Sequence, residues 1–314
     1  MNVVILDGYT VNPGDLSWDP ISNVTNTTIF DRTDDQDIVS RGKGAQVLVV
    51  NKVKILARHM DALPNLQAIC LLATGFDNVD IQAAKERGVK VFNAVGYGSE
   101  SVAQHTLAMM LAFTNRVEAH HKSVQDGVWS SQDDFSYSLT TVKELKGKVL
   151  GIIGYGKIGQ RVGALAAAFG MKVLALSRSG DKPGAEIVGK EDLFRRSHFI
   201  SLHAPLNDDS REIVNKDTLT LMRPDGVIVN TGRGGLINEA DLISAINNQT
   251  IGGALLDVVS IEPPAASNPL LYLKNVLITP HMAWRSLEAR KSLIEIVAGN
   301  IMNHQKNIDE NRVV

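Results

Sequence analysis

The sequence has a single cysteine and few aromatic residues. Cys70 is the one cysteine among 314 residues, and phenylalanine, tryptophan and tyrosine together make up 5% of the chain. One cysteine cannot form an internal disulfide, so a reducing, cytoplasmic location is the expectation. Cys70 lies in an apolar run at positions 66–72, where it is expected to be a small buried side chain.

The chain also lacks an excess of either charge and any long apolar run. Its 32 basic and 34 acidic residues give a formal net charge of −2, so no general attraction to nucleic acid or to an anionic membrane is expected. No apolar stretch approaches the roughly 20 residues that span a bilayer. Residues 1–7 have no basic region before their short apolar run, which favours a first strand over a signal peptide. The His, Cys and Asp residues show no metal-ligand spacing, so no metal is expected.

Apolar runs of strand length recur along the chain and alternate with helix-compatible segments. In the first hundred residues the runs cover positions 3–6, 47–50, 68–72 and 89–92. Six more follow, at positions 148–153, 172–176, 199–202, 226–229, 254–258 and 276–278. Such alternation is typical of parallel sheets with crossover helices. Because 314 residues are too many for one ordinary core, the prediction is an α/β protein with two Rossmann-like domains, each a doubly wound parallel sheet.

Two longer segments have helical periodicity. Residues 99–125 carry apolar side chains at helical spacing, which predicts one long helix, followed by a polar and aromatic loop up to about residue 145. Residues 286–305 are expected to form the last helix for the same reason.

A glycine-rich loop lies between the apolar run 148–153 and a helical segment. In such a loop the first glycine permits a tight turn, the second lets backbone approach a pyrophosphate, and the third lets the helix pack closely on the strand. The N–H groups at the helix start then bind phosphate. The strand before and the helix after the loop make a dinucleotide site the favoured interpretation over a structural turn. The predicted cofactor residues are Gly154, Tyr155, Gly156, Lys157, Ile158 and Gly159.

The next apolar run should end beside the adenosine ribose. A site that prefers NAD commonly has Asp or Glu there, about 20 residues after the glycines. This chain has Ser177, Arg178 and Ser179 instead. Two hydroxyls and a guanidinium suit a 2′-phosphate, since Arg binds phosphate oxygens through a bidentate fork. NADP(H) is therefore the preferred cofactor, while a solvated turn that accepts NAD(H) stays possible.

Polar residues follow three later strands, near the points where the strands are expected to end. Arg233, Glu262 and His281 each come a few residues after an apolar run. Ligands of doubly wound sheets bind beyond the carboxyl ends of the strands. We therefore expect the three side chains to converge on one cleft.

Together with the glycine loop, these segments resemble the D-isomer-specific 2-hydroxyacid dehydrogenases along essentially the whole chain. Residues 73–80 are similar to that family's substrate-domain loop, and residues 102–106 to the start of its interdomain helix. Gln104 stands where the family often has glutamate. The Glu-Pro-Pro at 262–264 and the Pro-His-Met-Ala-Trp at 280–284 are most similar to glycerate dehydrogenases, also called hydroxypyruvate (glyoxylate) reductases.

The resemblance implies a domain division and an oligomeric state. Residues 100–284 would bind NAD(P), while residues 1–99 and 285–314 would form a smaller, flavodoxin-like substrate domain completed by the C-terminal helix. A homodimer is expected, with the helix from residue 99 and the loop at 126–145 in the interface.

The resemblance also implies roles for the site residues. Hydride transfer to a 2-keto carbon leaves negative charge on the carbonyl oxygen, so a positioned proton donor lowers the barrier. His281 can be that donor, supported by a hydrogen bond to Glu262, and Arg233 can bind the substrate carboxylate. The implied substrate-binding residues are Thr74, Gly75, Arg233 and His281. The further cofactor-binding residues are His203, Ala204, Pro205, Thr231, Gly232, Arg233, Asp257 and His281.

The expected reaction is reduction of hydroxypyruvate or glyoxylate to the D-2-hydroxy acid. A D-lactate or other 2-keto acid dehydrogenase is the alternative within the family, whereas phosphoglycerate oxidation is less expected because the chain ends soon after the catalytic segment. From another class, a dinucleotide-sensing corepressor can share this fold. The triad of Arg233, Glu262 and His281 argues against a sensor, which needs no proton donor. The roles of Lys52 and Trp284, like that of Gln104, stay open.

Overall fold

Two sheets of parallel strands organise the chain in this computed structural model, which describes residues 1–178, 180 and 182–314. The strands within this part of the chain are β1 (Asn2–Ile5), β2 (Asn26–Ile29), β3 (Val47–Val50), β4 (Ala68–Leu71), β5 (Lys90–Phe92), β6 (Val149–Ile153), β7 (Lys172–Leu176), β8 (Glu186–Ile187), β9 (Phe199–Leu202), β10 (Val227–Asn230), β11 (Gly253–Leu256) and β12 (Val276–Ile278). The α-helices are α1 (Asp19–Ser22), α2 (Ile38–Gly42), α3 (Ala57–Asp61), α4 (Ile81–Glu86), α5 (Ser99–Asn115), α6 (Val117–Gln125), α7 (Lys157–Ala168), α8 (Lys190–Arg196), α9 (Lys216–Thr220), α10 (Glu239–Asn247) and α11 (Leu287–Gln305). Short 3-10 turns cover Gly8–Thr10, Asp35–Asp37, Trp129–Ser131, Gly234–Leu236 and Pro269–Tyr272.

One compact unit consists of Met1–Gly98 and Arg285–Val314. Its sheet has the strand order β2-β1-β3-β4-β5, which is the flavodoxin-like order. Every residue of β3 and β4 is buried, because helices cover both faces of such a sheet and its central strands therefore need continuous apolar sequence. β2 was not predicted from the sequence, since it is a polar edge strand that is mostly exposed.

The C-terminal residues of this unit return to its sheet. The Ser286 side chain caps α11 by accepting a hydrogen bond from the Ala289 N–H, as is common at helix starts. After α11, the Val91 N–H donates to the Val314 carbonyl at 3.0 Å, and the Val313 N–H donates to the Val91 carbonyl at 2.7 Å. The chain end is thus bonded to β5.

A buried guanidinium joins the two chain segments of this unit. Arg290 on α11 is 7% exposed, and its two terminal nitrogens each lie 2.7 Å from an oxygen of Asp15. One of them also donates to the Val11 carbonyl at 2.9 Å. Bidentate geometry of this kind gives one of the stronger charge-assisted pairs.

The other compact unit is Ser99–Trp284. Its sheet has the order β12-β11-β10-β9-β6-β7-β8, a doubly wound arrangement in which the strand order reverses beside β6. The six predicted strands are all present. The seventh, β8, has two residues only, too few to produce a sequence pattern. The predicted α/β class with two Rossmann-like sheets is confirmed.

The single long helix predicted for residues 99–125 is wrong. α5 ends at Asn115, Arg116 adopts a left-handed backbone with φ of 51°, and α6 begins at Val117. A right-handed helix cannot continue through a left-handed residue. The Arg116 guanidinium lies 5.1 Å from the centre of the Phe113 ring, a contact that accompanies this turn.

The surroundings of the cysteine and the lengths of the helices can be compared with what the composition indicated. Cys70 is fully buried, and burial raises the pKa of its thiol to about 12, as expected of a packed apolar residue. Among residues 1–178, 180 and 182–314, no helix is both long and apolar enough to cross a membrane.

Candidate active site

The three predicted catalytic residues lie at one edge of the larger sheet. β10, β11 and β12 are neighbours and all run parallel, so their carboxyl ends share that edge. Arg233 follows β10 by three residues, Glu262 follows β11 by six, and His281 follows β12 by three.

His281 and Glu262 form a direct pair. The His281 Nδ1 atom lies 2.6 Å from Glu262 Oε2, and Glu262 Oε1 accepts from the Val259 N–H at 3.2 Å. The side chains keep 22% and 34% of their surface exposed, respectively. With Nδ1 bonded to the carboxylate, Nε2 is the ring nitrogen left for a reacting group.

The loop that carries Arg233 is fixed by the side chain of Asn230. This buried amide accepts from the Gly232 N–H at 3.0 Å and donates to the Arg233 carbonyl at 2.9 Å. A Cβ atom on Gly234 would lie 2.0 Å from the Val259 carbonyl oxygen, so only glycine allows this loop to pack so closely on the loop after β11. The half-buried Arg233 is therefore held beside the segment that anchors Glu262.

Asp257, at the end of β11, holds the segment that contains His281. Its side chain is 1% exposed and accepts from the Thr279 hydroxyl at 2.6 Å and from the N–H groups of Met282 and Ala283 at 2.9 and 2.8 Å. Burial acts to raise the pKa of Asp257, but hydrogen bonds from His105, Thr279 and the two backbone groups outweigh it and lower that pKa. Its expected contact with the cofactor stays a prediction.

One face of α5 contacts the same loops. The Ser101 hydroxyl donates to the Ala283 carbonyl at 2.6 Å, and His105 Nε2 lies 3.0 Å from the Thr279 hydroxyl. Thr106 and Thr231 pair through their hydroxyls at 3.2 Å, so the Thr231 side chain is turned to α5. The helical spacing of this segment did not predict these bonds, which join residues 125 to 182 positions apart in the chain.

The glycine loop has the geometry that its sequence predicts. Gly154 has a φ of +93°, and a Cβ atom there would lie 2.5 Å from the Ala204 nitrogen. A Cβ on Gly159 would lie 2.3 Å from the Gly154 carbonyl oxygen. Gly156 differs, since its Cβ would meet nothing within 4 Å. The open space at Gly156, directly before the free N–H groups of the α7 start, fits a dinucleotide pyrophosphate.

The other residues of the loop differ in burial and in their hydrogen bonds. Lys157 is exposed and Ile158 is half-buried. The Tyr155 ring is buried in the core, where burial raises the pKa of its phenol. Its carbonyl accepts from Gln160 Nε2 and from Lys182 Nζ, both at 3.2 Å. Lys182 was not predicted, because it lies beyond residues 177–179, where the 2′-phosphate site was expected.

The segment after β7 places a guanidinium in solvent. Arg178 is exposed, and its Nη1 atom lies 3.3 Å from Oδ2 of the exposed Asp209. Ser177 is half-buried. Ser179, the third residue predicted here, lies outside the described residues.

The predicted adenine-side residues follow β9. His203 Nε2 lies 2.8 Å from the Ser201 hydroxyl, and burial lowers the pKa of this imidazole to about 4. The ring is therefore neutral at physiological pH. Ala204 packs on Gly154, and Pro205 is exposed with its carbonyl accepting from the Ser210 hydroxyl at 2.6 Å.

The predicted substrate loop lies at the carboxyl edge of the smaller sheet. The Thr74 hydroxyl donates to the Ala94 carbonyl at 2.6 Å, and Asn93 Nδ2 donates to the Thr74 carbonyl at 2.8 Å. Gly75 is half-buried. Substrate binding by Thr74 and Gly75 stays a prediction.

Three residues whose roles the sequence left open have clear surroundings. Lys52 is exposed, and its N–H donates to Oδ2 of the buried Asp7 at 2.5 Å. Gln104 is exposed on α5, and Trp284 is buried with 9% of its surface accessible.

Comparisons with known proteins identify the family. The NAD-binding domain of the D-isomer specific 2-hydroxyacid dehydrogenases matches residues 107–283. A hydroxypyruvate reductase of Blautia hydrogenotrophica is 38% identical and covers 100% of this chain and 99% of its own length. A glycerate dehydrogenase of Methylorubrum extorquens is 37% identical over 85% of this chain and 84% of its own.

A solved structure extends the comparison to the whole fold. An acyclic imino acid reductase in complex with NADPH and D-Arg superposes with a TM-score of 0.89 at 29% identity, over 100% of both chains. The enzyme is thus an oxidoreductase that uses a nicotinamide dinucleotide, and the chain belongs to the D-isomer specific 2-hydroxyacid dehydrogenase family.

Proposed function

We propose that the enzyme reduces a small 2-keto acid, with hydroxypyruvate and glyoxylate favoured, to the D-2-hydroxy acid, and that NADPH is its preferred reductant. The observation that carries the proposal is the 2.6 Å His281–Glu262 pair, formed between the loops after β12 and β11, at the same sheet edge as the loop after β10 that carries Arg233. Relatives named hydroxypyruvate reductase and glycerate dehydrogenase support the choice of substrate.

His281 supplies the proton in this proposal. The bound dinucleotide supplies the hydride that adds to C2 of the keto acid. The keto oxygen takes a proton from His281 Nε2 and becomes the hydroxyl of the product, and solvent later returns a proton to the ring. Glu262 fixes the ring through Nδ1 and stabilises its cation. In the oxidative direction His281 is the base that removes the hydroxyl proton.

Arg233 binds the anionic end of the substrate. Its planar guanidinium offers parallel N–H groups that match a carboxylate, which orients the neighbouring keto group. A further N–H of the fork can bind the keto oxygen, where negative charge develops during the reaction. The bonds of Asn230 to Gly232 and to the Arg233 carbonyl keep this loop in one place, as a preorganised site requires.

The preference for NADPH rests on positive charge beside the glycine loop. Ser177 and Arg178 follow β7, where a carboxylate would repel a 2′-phosphate. Lys182 brings an ammonium to the Tyr155 carbonyl, within the loop itself. Both cations are available to the phosphates of the dinucleotide, and the neutral His203 suits the uncharged adenine.

A steady-state survey tests the proposed function. Hydroxypyruvate, glyoxylate, pyruvate and longer 2-keto acids would each be assayed with NADPH and with NADH. We expect the highest kcat/KM for hydroxypyruvate or glyoxylate with NADPH, and His281→Ala should lower turnover by roughly 10²–10⁴-fold. A clear preference for pyruvate would instead favour a D-lactate dehydrogenase, and full activity of the His281 variant would overturn the proton-donor role.

A homodimer is the proposed assembly. α6 and the segment that follows it expose apolar side chains that a monomer leaves in water: Val117 at 63%, Trp129 at 48%, Phe135 at 91%, Leu139 at 47% and Val142 at 50%. Such a concentration of apolar surface is typical of a protein interface. Sedimentation analysis should show a dimer that Phe135→Asp weakens, while Tyr272→Asp, a control at another exposed aromatic residue, leaves it intact.

A further inference from the structure

The backbone at His281 has an unusual conformation that needs external support. His281 has a φ of 52°, in the left-handed region that residues other than glycine seldom adopt. Its N–H lies within hydrogen-bond distance of two carbonyls, those of Asp257 at 2.8 Å and Thr279 at 3.0 Å. A strained backbone persists only when its surroundings hold it in place.

The support comes from a relay that starts on α5. The Thr279 hydroxyl donates its one proton to Asp257 Oδ1 at 2.6 Å, so His105 Nε2, 3.0 Å from that hydroxyl, is the donor of the bond between them. A threonine hydroxyl has one donor and two acceptor sites, so both bonds can form together. His105 Nε2 also lies 3.5 Å from Asp257 Oδ1. The relay ends on the carboxylate that accepts from Met282 and Ala283, directly after His281.

We infer that His105 is a positioning residue, which acts through Thr279 and Asp257 to hold the segment 279–283 so that the His281 ring meets Glu262 and the substrate. This inference rests on the proposed role of His281 as proton donor. Ser101, four residues before His105 on the same helix face, donates to the Ala283 carbonyl and secures the far end of the segment. Thr106 bonds Thr231, so the same helix also contacts the loop that carries Arg233.

The geometry explains why a histidine is needed at this position. A leucine would fill similar space but would leave the Thr279 hydroxyl and the buried Asp257 carboxylate with fewer donors, which is costly in a buried network. A glutamine retains an N–H donor near the Nε2 position. The side chain is only 17% exposed, so water cannot readily replace the missing bond.

The test compares His105→Leu with His105→Gln in the full-length protein. We expect the leucine variant to lower kcat for the keto acid about 10- to 100-fold, since a small displacement of a catalytic group has an effect of that size. The dissociation constant of NADPH, measured by fluorescence, should change less than about twofold, and glutamine should restore most of kcat. Thr114→Val is the matched control, because it removes a buried hydroxyl bond to the Met110 carbonyl at the other end of α5.

A second readout is independent of turnover. In protein labelled at the histidine ring carbons, the NMR signal of His281, assigned with His281→Ala, should shift and broaden in His105→Leu but not in Thr114→Val. If His105→Leu folds poorly, Thr279→Val breaks the relay at its next member and should give the same loss of kcat and the same change of signal. Unchanged kcat and an unchanged His281 signal in both variants would overturn the inference, while loss of activity in His281→Ala would leave the proposed function intact.

Discussion

Nδ1 of His281 lies 2.6 Å from Oε2 of Glu262, although the two residues come from different loops that follow neighbouring strands. The other oxygen of the carboxylate accepts from the Val259 N–H, so Glu262 is fixed at two points. A carboxylate held in this way sets both the tautomer and the orientation of an imidazole. The pair therefore leaves Nε2 of His281 as the ring nitrogen that can exchange a proton with the substrate.

Replacing Glu262 by glutamine should slow the chemical step. The amide can still approach Nδ1, but it lacks the charge that stabilises the imidazolium, so kcat should fall about 10- to 100-fold. The KM for NADPH should stay within about twofold, because this carboxylate acts through the His281 ring. Steady-state kinetics beside the control Glu288→Gln, an exposed residue on α11, provide the measurement. An unchanged kcat would show that the pair does not contribute to proton transfer.

Replacing Arg233 by lysine should mainly impair substrate binding. Lysine keeps the charge but loses the planar fork, so kcat/KM for the keto acid should fall by about 10²-fold or more. Arg223→Lys is a suitable control, since Arg223 precedes the same strand at its opposite end and pairs with the exposed Asp225. If the Arg233 variant bound the keto acid normally, another residue would have to bind the substrate carboxylate.

The sequence predicted most of the strands, and it placed the candidate site residues directly after strands, because both depend on local pattern; the catalytic roles of those residues stay a prediction from the family resemblance. Buried parallel strands such as β3 are continuous apolar runs, and polar residues at their carboxyl ends, such as Arg233, stand out against them. β2 and β8 could not be predicted, because a polar edge strand and a strand of two residues lack such a pattern. The break between α5 and α6 depends on one backbone angle at Arg116, which apolar spacing does not encode.

The contacts that complete the site depend on tertiary structure and were missed for that reason. His105 and Thr279 are far apart in the chain, and nothing in the helical pattern of α5 distinguishes a histidine that donates to a remote loop. The pair of Arg178 with Asp209 was missed for the same reason, since its two residues come from different loops. The positions of most strands and their ends can therefore be read from the sequence, whereas the partners of the side chains cannot.

Asp209 should limit the affinity for NADPH. Its carboxylate lies 3.3 Å from the Arg178 guanidinium, where it competes with a 2′-phosphate and repels it. Asp209→Asn should lower the dissociation constant for NADPH by about two- to fivefold, since an exposed pair contributes little on its own. Binding of NADH should change much less.

Arg178→Ala and Lys182→Ala complete that comparison. The first should weaken the binding of NADPH far more than the binding of NADH, as expected for a guanidinium that binds the 2′-phosphate. The second removes an ammonium beside the Tyr155 carbonyl and should weaken NADPH binding as well. Fluorescence titrations at two ionic strengths give these constants, and the NADPH effects should shrink at high salt. Equal losses for both dinucleotides in Arg178→Ala would contradict the 2′-phosphate assignment.

The Asp15–Arg290 pair should make stability depend on pH in the acid range. The hydrogen bond from Arg290 lowers the pKa of Asp15, against the smaller opposing effect of burial. A group with a lowered folded-state pKa stabilises the protein above its unfolded value, about 3.9, and that contribution is lost as pH falls through the folded value. Asp15→Asn should therefore destabilise the protein near neutral pH, and the difference from the parent should shrink below about pH 4.

Urea unfolding at a series of pH values measures that difference directly. Asp34→Asn serves as the control, because it removes an exposed carboxylate from the same unit. A difference between Asp15→Asn and the parent that stays constant from neutral to acid pH would show that the pair does not stabilise the fold through its charge.

The second and third glycines of the nucleotide loop should respond differently to the same substitution. A Cβ on Gly159 would lie 2.3 Å from the Gly154 carbonyl oxygen, so Gly159→Ala must displace backbone and should destabilise the protein by about 1–3 kcal/mol. A Cβ on Gly156 would enter open space, and the backbone there, with φ −83° and ψ −160°, is extended and open to alanine. Gly156→Ala should therefore keep the parent Tm yet raise the dissociation constant of the dinucleotide about tenfold or more, because the new methyl group occupies the position that the pyrophosphate approaches. Calorimetric Tm values and fluorescence titrations separate the two effects, and unchanged dinucleotide binding in Gly156→Ala would mean that the phosphates bind elsewhere.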